Sequence, residues 1–269
     1  MINTIFEIIS DNIHYFRNNL GIALVNIKKQ NKSSDLGWVW TVLKPMMYIA
    51  MFYIAISLGF KSSKSIDGIV CPYFIWLTTG LIPWFYVRDM ISAGAKSFKV
   101  YKNVIKKVNY PSSVIPMIPA ITHILIHIIL VGILIVMSIF SGVRPSIHWI
   151  QLPLFMALMI WFVYVWSLFA GLITVITADF SNLIQAVKPA LFWLSGIFFN
   201  TRGSDEHHLF FMLNPITYLV EGYRSCFCFN SWFWENPTSL GFFLLVMLVL
   251  TVLALFLYRK LKITLPEIV

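Results

Sequence analysis

The sequence predicts an all-α membrane protein of six transmembrane helices, and three observations lead there. Of 269 residues, 59 % are hydrophobic and only 12 % charged, with a mean hydropathy of +0.80. A soluble domain carries about twice that share of charge. Long apolar runs recur along the chain, most of them near the ~20 residues that cross a ~30 Å hydrocarbon core. The basic residues fall between those runs. Lys28, Lys29 and Lys32 precede the first run, Lys96, Lys99, Lys102, Lys106 and Lys107 follow the second, and Arg259, Lys260 and Lys262 follow the last. The alternate segments hold fewer: Lys61 and Lys64, Arg144, Arg202 and Arg224. By the positive-inside rule both termini are expected in the cytoplasm. The net charge of +9 is thus a topology signal first and a contact with anionic lipid second, not a nucleic-acid footprint.

Residues 1–34 should lie in the membrane interface. Ile2, Ile5, Phe6, Ile9, Ile13, Phe16 and Leu20 recur at three- and four-residue steps and mark one helix face, with Glu7, Asp11, His14 and Arg17 off it. Glu7 and Asp11 leave this segment without a continuous apolar stretch, so no cleavable signal peptide is expected. The first span, 35–60, is expected to be the element the rest is arranged around. It carries Trp38, Trp40, Tyr48 and Phe52 through its depth, where a plain anchor confines such rings to the interfaces, and it holds Lys44 beside Pro45. The second span, 69–95, contains Pro83 and ends near Arg88 and Asp89, expected to pair with each other or a neighbouring helix.

The segment 96–113 alternates lysines with Val100, Val104 and Val108. It reads either as a solvated positive-inside loop or, given Tyr101 and Tyr110, as a docking segment. The third and fourth spans are 114–140 and 149–177. His123 and His127 lie four apart on the third, a spacing that suits interhelical hydrogen bonds better than a metal site in a chain with six His. The fifth span, 183–199, is short. Residues 204–228 hold two brief apolar stretches about the turn Asn214-Pro215, the pattern of re-entrant helices. The sixth span, 239–258, completes a single domain over 1–269. Cys71, Cys226 and Cys228 fall on the outer side, where a disulfide from Cys71 is open but unpaired thiols are the preferred reading.

No phosphate-binding loop, metal cluster or nucleophilic triad is legible, and no catalytic residue is assigned. None of the long apolar runs holds a central carboxylate of the kind an ion-coupled carrier uses. Energy is therefore expected from outside the chain. A membrane transferase would need clustered Asp or His, which is missing; an exporter of small lipids or drugs, and a stand-alone carrier or channel, remain as rivals.

The strings SSDLGWVWTVLKP, YKNVIKKVNYPSSVIP, ADFSNLIQAVKPALFWLSGIFF and LNPITYLVEGYRS resemble, in order and spacing, the membrane subunit of polysaccharide-exporting ABC transporters (the O-antigen, capsule and teichoic acid exporters). The resemblance implies a homodimer in the bacterial inner membrane with two copies of a separate ABC ATPase that binds ATP and Mg, and a polyprenyl-linked glycan as substrate. It implies an interface helix over Asn3 to Asn18 and a gate-leading segment from Gly21 to Lys32. Val100, Tyr101, Val104, Lys106, Lys107 and Tyr110 would form the ATPase-coupling helix. Two external gate helices would run from Asp205 to Leu213 and Pro215 to Cys226, the latter with Asn214, Pro215, Tyr218, Glu221 and Arg224. For such a substrate, Trp38, Trp40, Tyr48, Phe52, Phe192, Trp193, Phe198 and Phe199 are candidate polymer-path rings, although about half are expected simply to fill space between helices. Arg17, Lys28, Lys29, Lys32 and Lys44 are the candidate entrance for lipid phosphates.

Overall fold

The computed structural model describes residues 2–30, 32, 34–59, 71–108, 110–199, 201, 211 and 213–268. The expected outer loop after the first span and nearly all of the first gate helix, Asp205 to Leu213, lie outside the described residues, as does the Lys107 side chain. Every regular element among the described residues is helical. In order they are α1 (Ile2–His14), α2 (Phe16–Lys29), α3 (Val39–Gly59), α4 (Tyr73–Ala95), α5 (Ser97–Val100), α6 (Lys102–Val108), α7 (Met117–Phe140), α8 (Leu152–Ile176), α9 (Asp179–Trp193), α10 (Pro215–Arg224), α11 (Pro237–Leu261) and α12 (Leu265–Ile268). A π-helical turn, Ser225–Phe229, continues α10.

Four helical stretches are long and apolar enough to cross a membrane: Val39–Ile56, Ser112–Phe140, Ile147–Ile176 and Pro237–Leu261. The chain is a multi-pass membrane protein. The second and fifth expected spans do form helices, α4 and α9, but α4 carries Arg88 and Asp89 and α9 has only 15 residues.

The centre of the bundle is α4, not the first span. Every residue from Ile75 to Val87 is buried, and α4 packs against α3, α7, α8, α9 and α10. The stretch 35–60, expected at the centre, is peripheral: only 11 % of Val39–Ile56 is buried. The cause lies in the side chains facing the contacts. Gly94 sits where a Cβ would stand 1.9 Å from the Ser167 Oγ of α8, and Gly171 where one would meet Phe98 at 2.7 Å. Small residues let backbones approach closely, which is how helices associate in lipid.

At the lysine-rich end a polar knot binds the amphipathic helices to the bundle. Asn19, fully buried on α2, donates to the Val114 carbonyl and accepts from the Tyr110 hydroxyl at 2.8 Å. Ser113 Oγ donates to Asp11 on α1, while Tyr164 of α8 donates to the Ser113 carbonyl. Lys262 pairs with Glu7, tying α1 to the end of α11.

At the opposite end Cys71 is bonded to Cys228, across 157 residues of sequence. This corrects the preference for unpaired thiols: the packing of α10 on α4 brings Cys228 back to the start of α4, with a Cα–Cα distance of 4.9 Å. Cys226 remains a buried free thiol.

The packing makes Gly94→Ala a sharp test. It should cost about 1–3 kcal/mol through overpacking of α4 on α8, read as a lower melting temperature of the purified protein in detergent. Unchanged melting would contradict this close approach.

Candidate functional site: an aromatic face above a basic cleft

Arg224, at the end of α10, is fixed by several partners at once. It is fully buried, and its guanidinium carbon lies 3.7 Å from the centre of the Trp76 ring on α4. Nη1 donates to the Gly196 carbonyl at 2.9 Å, the Phe199 carbonyl at 3.2 Å and Glu221 Oε1 at 2.8 Å; Nη2 donates to the Ile197 carbonyl. A buried cation without such partners would be very costly. Here it accounts for carbonyls in the turn after α9 that no helix satisfies. Gly196 takes φ +67 there, and a Cβ on Gly80 would come within 3.1 Å of Nη2, so both positions suit glycine. Asn214 completes the clamp. Its side chain caps α10 by accepting from Ile216 N at 3.0 Å and donates to the Leu194 carbonyl at 3.0 Å. Thus α10 starts beside the end of α9 and runs to the disulfide end, with Tyr218 stacked on Phe243 at 4.8 Å. His127 of α7 meets the Tyr223 hydroxyl at 2.6 Å, the interhelical role expected of it.

This clamp supports a wall of rings. Phe52 of α3 lies 5.5 Å from Phe192 and 5.3 Å from Phe198. Trp84 of α4 lies 5.3 Å from Phe192, and Trp193 lies 5.2 Å from Phe198. Tyr48 approaches Phe85 at 6.3 Å. Trp193 keeps 56 % of its surface exposed, and Tyr48 and Phe199 stay exposed too, so the rings form a face instead of a filled core. Trp38 and Trp40 do not join it. Trp38 is exposed near the start of α3, and Trp40 Nε1 donates to Ser34 Oγ.

Toward the lysine-rich end the face gives way to charge. Arg88 pairs with Asp89 at 2.8 Å, and its guanidinium sits 5.1 Å from the Phe85 ring and 5.9 Å from Tyr48. Lys188 of α9 donates to Ser92 Oγ at 2.9 Å and Gln185 Oε1 at 3.0 Å. A cavity of about 110 Å³ is lined by Lys44, Arg88, Asp89 and His123. It adjoins a cleft of about 410 Å³ lined by Lys29, Lys96 and Tyr101, sharing Gln30 and His123. Of the expected phosphate entrance, the structure brings Lys29 and Lys44 to this cleft, whereas Arg17, Lys28 and Lys32 are exposed outside it. Sequence reading did not assign Trp84, Phe85, Ser92, Gln185 or Lys188 to a site. The available signal was polar residues one turn apart in otherwise apolar helices.

The elbow 96–113 folds as α5 and α6. Tyr101 accepts from Asn26 Nδ2 at 2.8 Å, and burial pushes its phenol above the ordinary value, opposed by that hydrogen bond. Tyr110 is buried against Tyr15. Both tyrosines hold α2 instead of standing free, and among the described side chains of the segment Val100, 64 % exposed among Lys96, Lys99, Lys102 and Lys106, is an outward apolar position. Among the described residues no group of His, Cys, Asp and Glu is arranged to hold a metal.

Comparison with known proteins places this architecture. The family profile of ABC-2 type transporters matches residues 22–228. The chain belongs to that family. Among curated ABC-2 relatives it is similar to an O-antigen export system permease protein RfbA of Klebsiella pneumoniae, 24 % identical over 90 % of this chain and 91 % of the relative. It is also similar to a protein of the same name from Myxococcus xanthus, 21 % identical over 77 % of this chain and 79 % of that one.

Replacing Arg224 by lysine should remove most of the clamp, because one ammonium cannot reach four fixed acceptors and stack on Trp76. A loss of about 2 kcal/mol or more is expected, seen as a lower melting temperature. Wild-type melting would contradict the clamp.

Proposed function

We propose that this ABC-2 chain is the membrane subunit of an ATP-driven exporter of polyprenyl-linked polysaccharide. It works as a homodimer with two copies of a separate ABC ATPase, which holds the ATP and Mg. Six passes are formed by α3, α4, α7, α8, α9 and α11, in the bacterial inner membrane with both termini cytoplasmic. The disulfide end then faces the oxidising side, which suits Cys71–Cys228. The polymer is of the O-antigen, capsule or teichoic acid type, in line with the printed names of the relatives.

The observation that carries this reading is the aromatic face whose exposed rings are Tyr48 of α3, Trp193 of α9 and Phe199 just after it, backed by the buried Trp84 and Phe85 of α4. Sugar rings present C–H faces that pack on aromatic rings, and such contacts let different monomers slide past. A lone copy leaves this face open, and a second copy set against α3 and α9 would close it into a conduit. Residues of α10, with Asn214, Pro215, Tyr218, Glu221 and Arg224, would form the fixed half of the outer gate. The rival of a small-lipid exporter is favoured by one feature, an apolar groove of about 630 Å³ between α1, α8 and α11.

Phe52→Ala with Phe192→Ala should slow polymer export at least tenfold (about 1.4 kcal/mol of barrier) while ATP hydrolysis by the assembled complex changes little. Equal loss of both, or unimpaired glycan export, would reject the face as the polymer path; a wild-type complex that moves small lipids and no glycan would favour the small-lipid rival. Val100→Asp should release the ATPase, measured by co-purification; wild-type stoichiometry would place docking elsewhere.

A further inference from the structure

Two cations, Arg88 and Lys188, lie close together beside the aromatic face, and a single carboxylate, Asp89, pairs with one of them. Arg88 and Ser92 lie one turn apart on α4, about 6 Å along its axis, and Lys188 of α9 donates to that Ser92, so the ammonium sits one turn from the backbone position of Arg88. Asp89 pairs with Arg88 Nε only. Arg88, Asp89 and Lys96 are all within electrostatic reach of Lys188, an excess of positive charge. Both hydrogen-bond partners of Lys188 are neutral, and its three donors are not exhausted by Ser92 and Gln185. Arg88 is partly exposed and lines the 110 Å³ cavity. Counting from Ala95, Arg88 stands about 10 Å inside the end of α4. Ionisable groups at such depth are costly and mark pathways.

We propose that Arg88 and Lys188, with Ser92 between them, bind the phosphate oxyanion of the lipid carrier on the cytoplasmic side of the aromatic face. The carrier's identity rests on the export reading above; the oxyanion site rests on the geometry. Guanidinium and ammonium supply charge-assisted donors, and Ser92 adds a hydroxyl. The Phe85 and Tyr48 rings lie beside the guanidinium. Phe192 lies about one turn further along α9, backed by the buried Trp84 of α4, so a phosphate held at the cations sets the first sugar against Phe192 and the exposed rings beside it. The cleft past Lys29 and Lys96 provides the approach, and Arg88 and Lys188 are where the headgroup pauses before the glycan engages the face.

The test uses the full-length chain in neutral-lipid nanodiscs with three probes: a short-chain prenyl monophosphate, the corresponding prenyl alcohol, and inorganic phosphate. Wild type should bind the monophosphate more tightly than the alcohol. Arg88→Gln with Lys188→Gln should weaken the monophosphate about tenfold or more and leave the alcohol unchanged. Equal monophosphate binding by wild type and the double variant overturns the site. Inorganic phosphate that competes, and does so only with the cations present, supports the site with free phosphate as a second source; absence of competition supports the lipid-borne phosphate alone. Should the double variant aggregate, Lys188→Gln against Lys188→Arg reads the same point: loss in the first with retention in the second supports the site, and no difference overturns it. An export assay separates the two levels. If deleting the gene leaves glycan export intact while the binding difference holds, the export reading falls and the site stands. If export needs the chain, yet the double variant binds and exports as wild type, the site falls alone.

Discussion

A single guanidinium holds the working half of this protein together. Arg224 has no access to solvent, and in a membrane-embedded bundle its charge must be met by the protein itself. The partners that meet it come from three places: the Trp76 ring on α4, the carbonyls of the turn after α9, and Glu221 on α10 itself. Because each partner belongs to a different element, satisfying one charge fixes the relative positions of all three. The disulfide and the Asn214 cap act on the same elements from either end of α10.

The consequence is an uneven distribution of stiffness. With α4 central and α9 and α10 pinned to it, one side of the bundle is rigid, and the rings of Trp84, Phe192 and Phe198 inherit fixed positions. The other contributor to the aromatic face, α3, is scarcely buried and touches the bundle along α4 and α7. A wall with one fixed and one loosely held side suits a polymer that must be gripped and released repeatedly. Tight, enclosed binding would instead arrest it. The lysine-rich elbow is anchored to α2 through Tyr101 and Tyr110, which ties it to the segment that lines the cleft.

Much of this was legible in the sequence because lipid imposes strong rules. Apolar run length and the placement of lysines give the helical membrane class, and Asn214-Pro215 gives the start of α10. What was misjudged follows from what hydropathy measures. It reports how apolar a run is and not where the run sits, so the peripheral α3 passes as a span, as does the stretch Ile147–Ile176, 56 % of it buried, while the central α4, carrying Arg88 and Asp89, does not. Trp38 and Phe52 looked equivalent along α3, yet Trp38 lies near its start and only Phe52 meets α9. Pairing of Cys71 with Cys228 depends on the chain returning through α10, a long-range closure that spacing does not encode. Lys188 was overlooked because its partner Ser92 lies 96 residues away.

The account turns on where the glycan passes. A photo-crosslinking residue placed at Phe192, on the aromatic face, and another at Phe256, on the exposed side of α11, can be activated while the assembled complex is exporting. Capture of glycan at 192 and of lipid alone at 256 is the predicted result. Glycan captured at 256 and not at 192 would contradict the account.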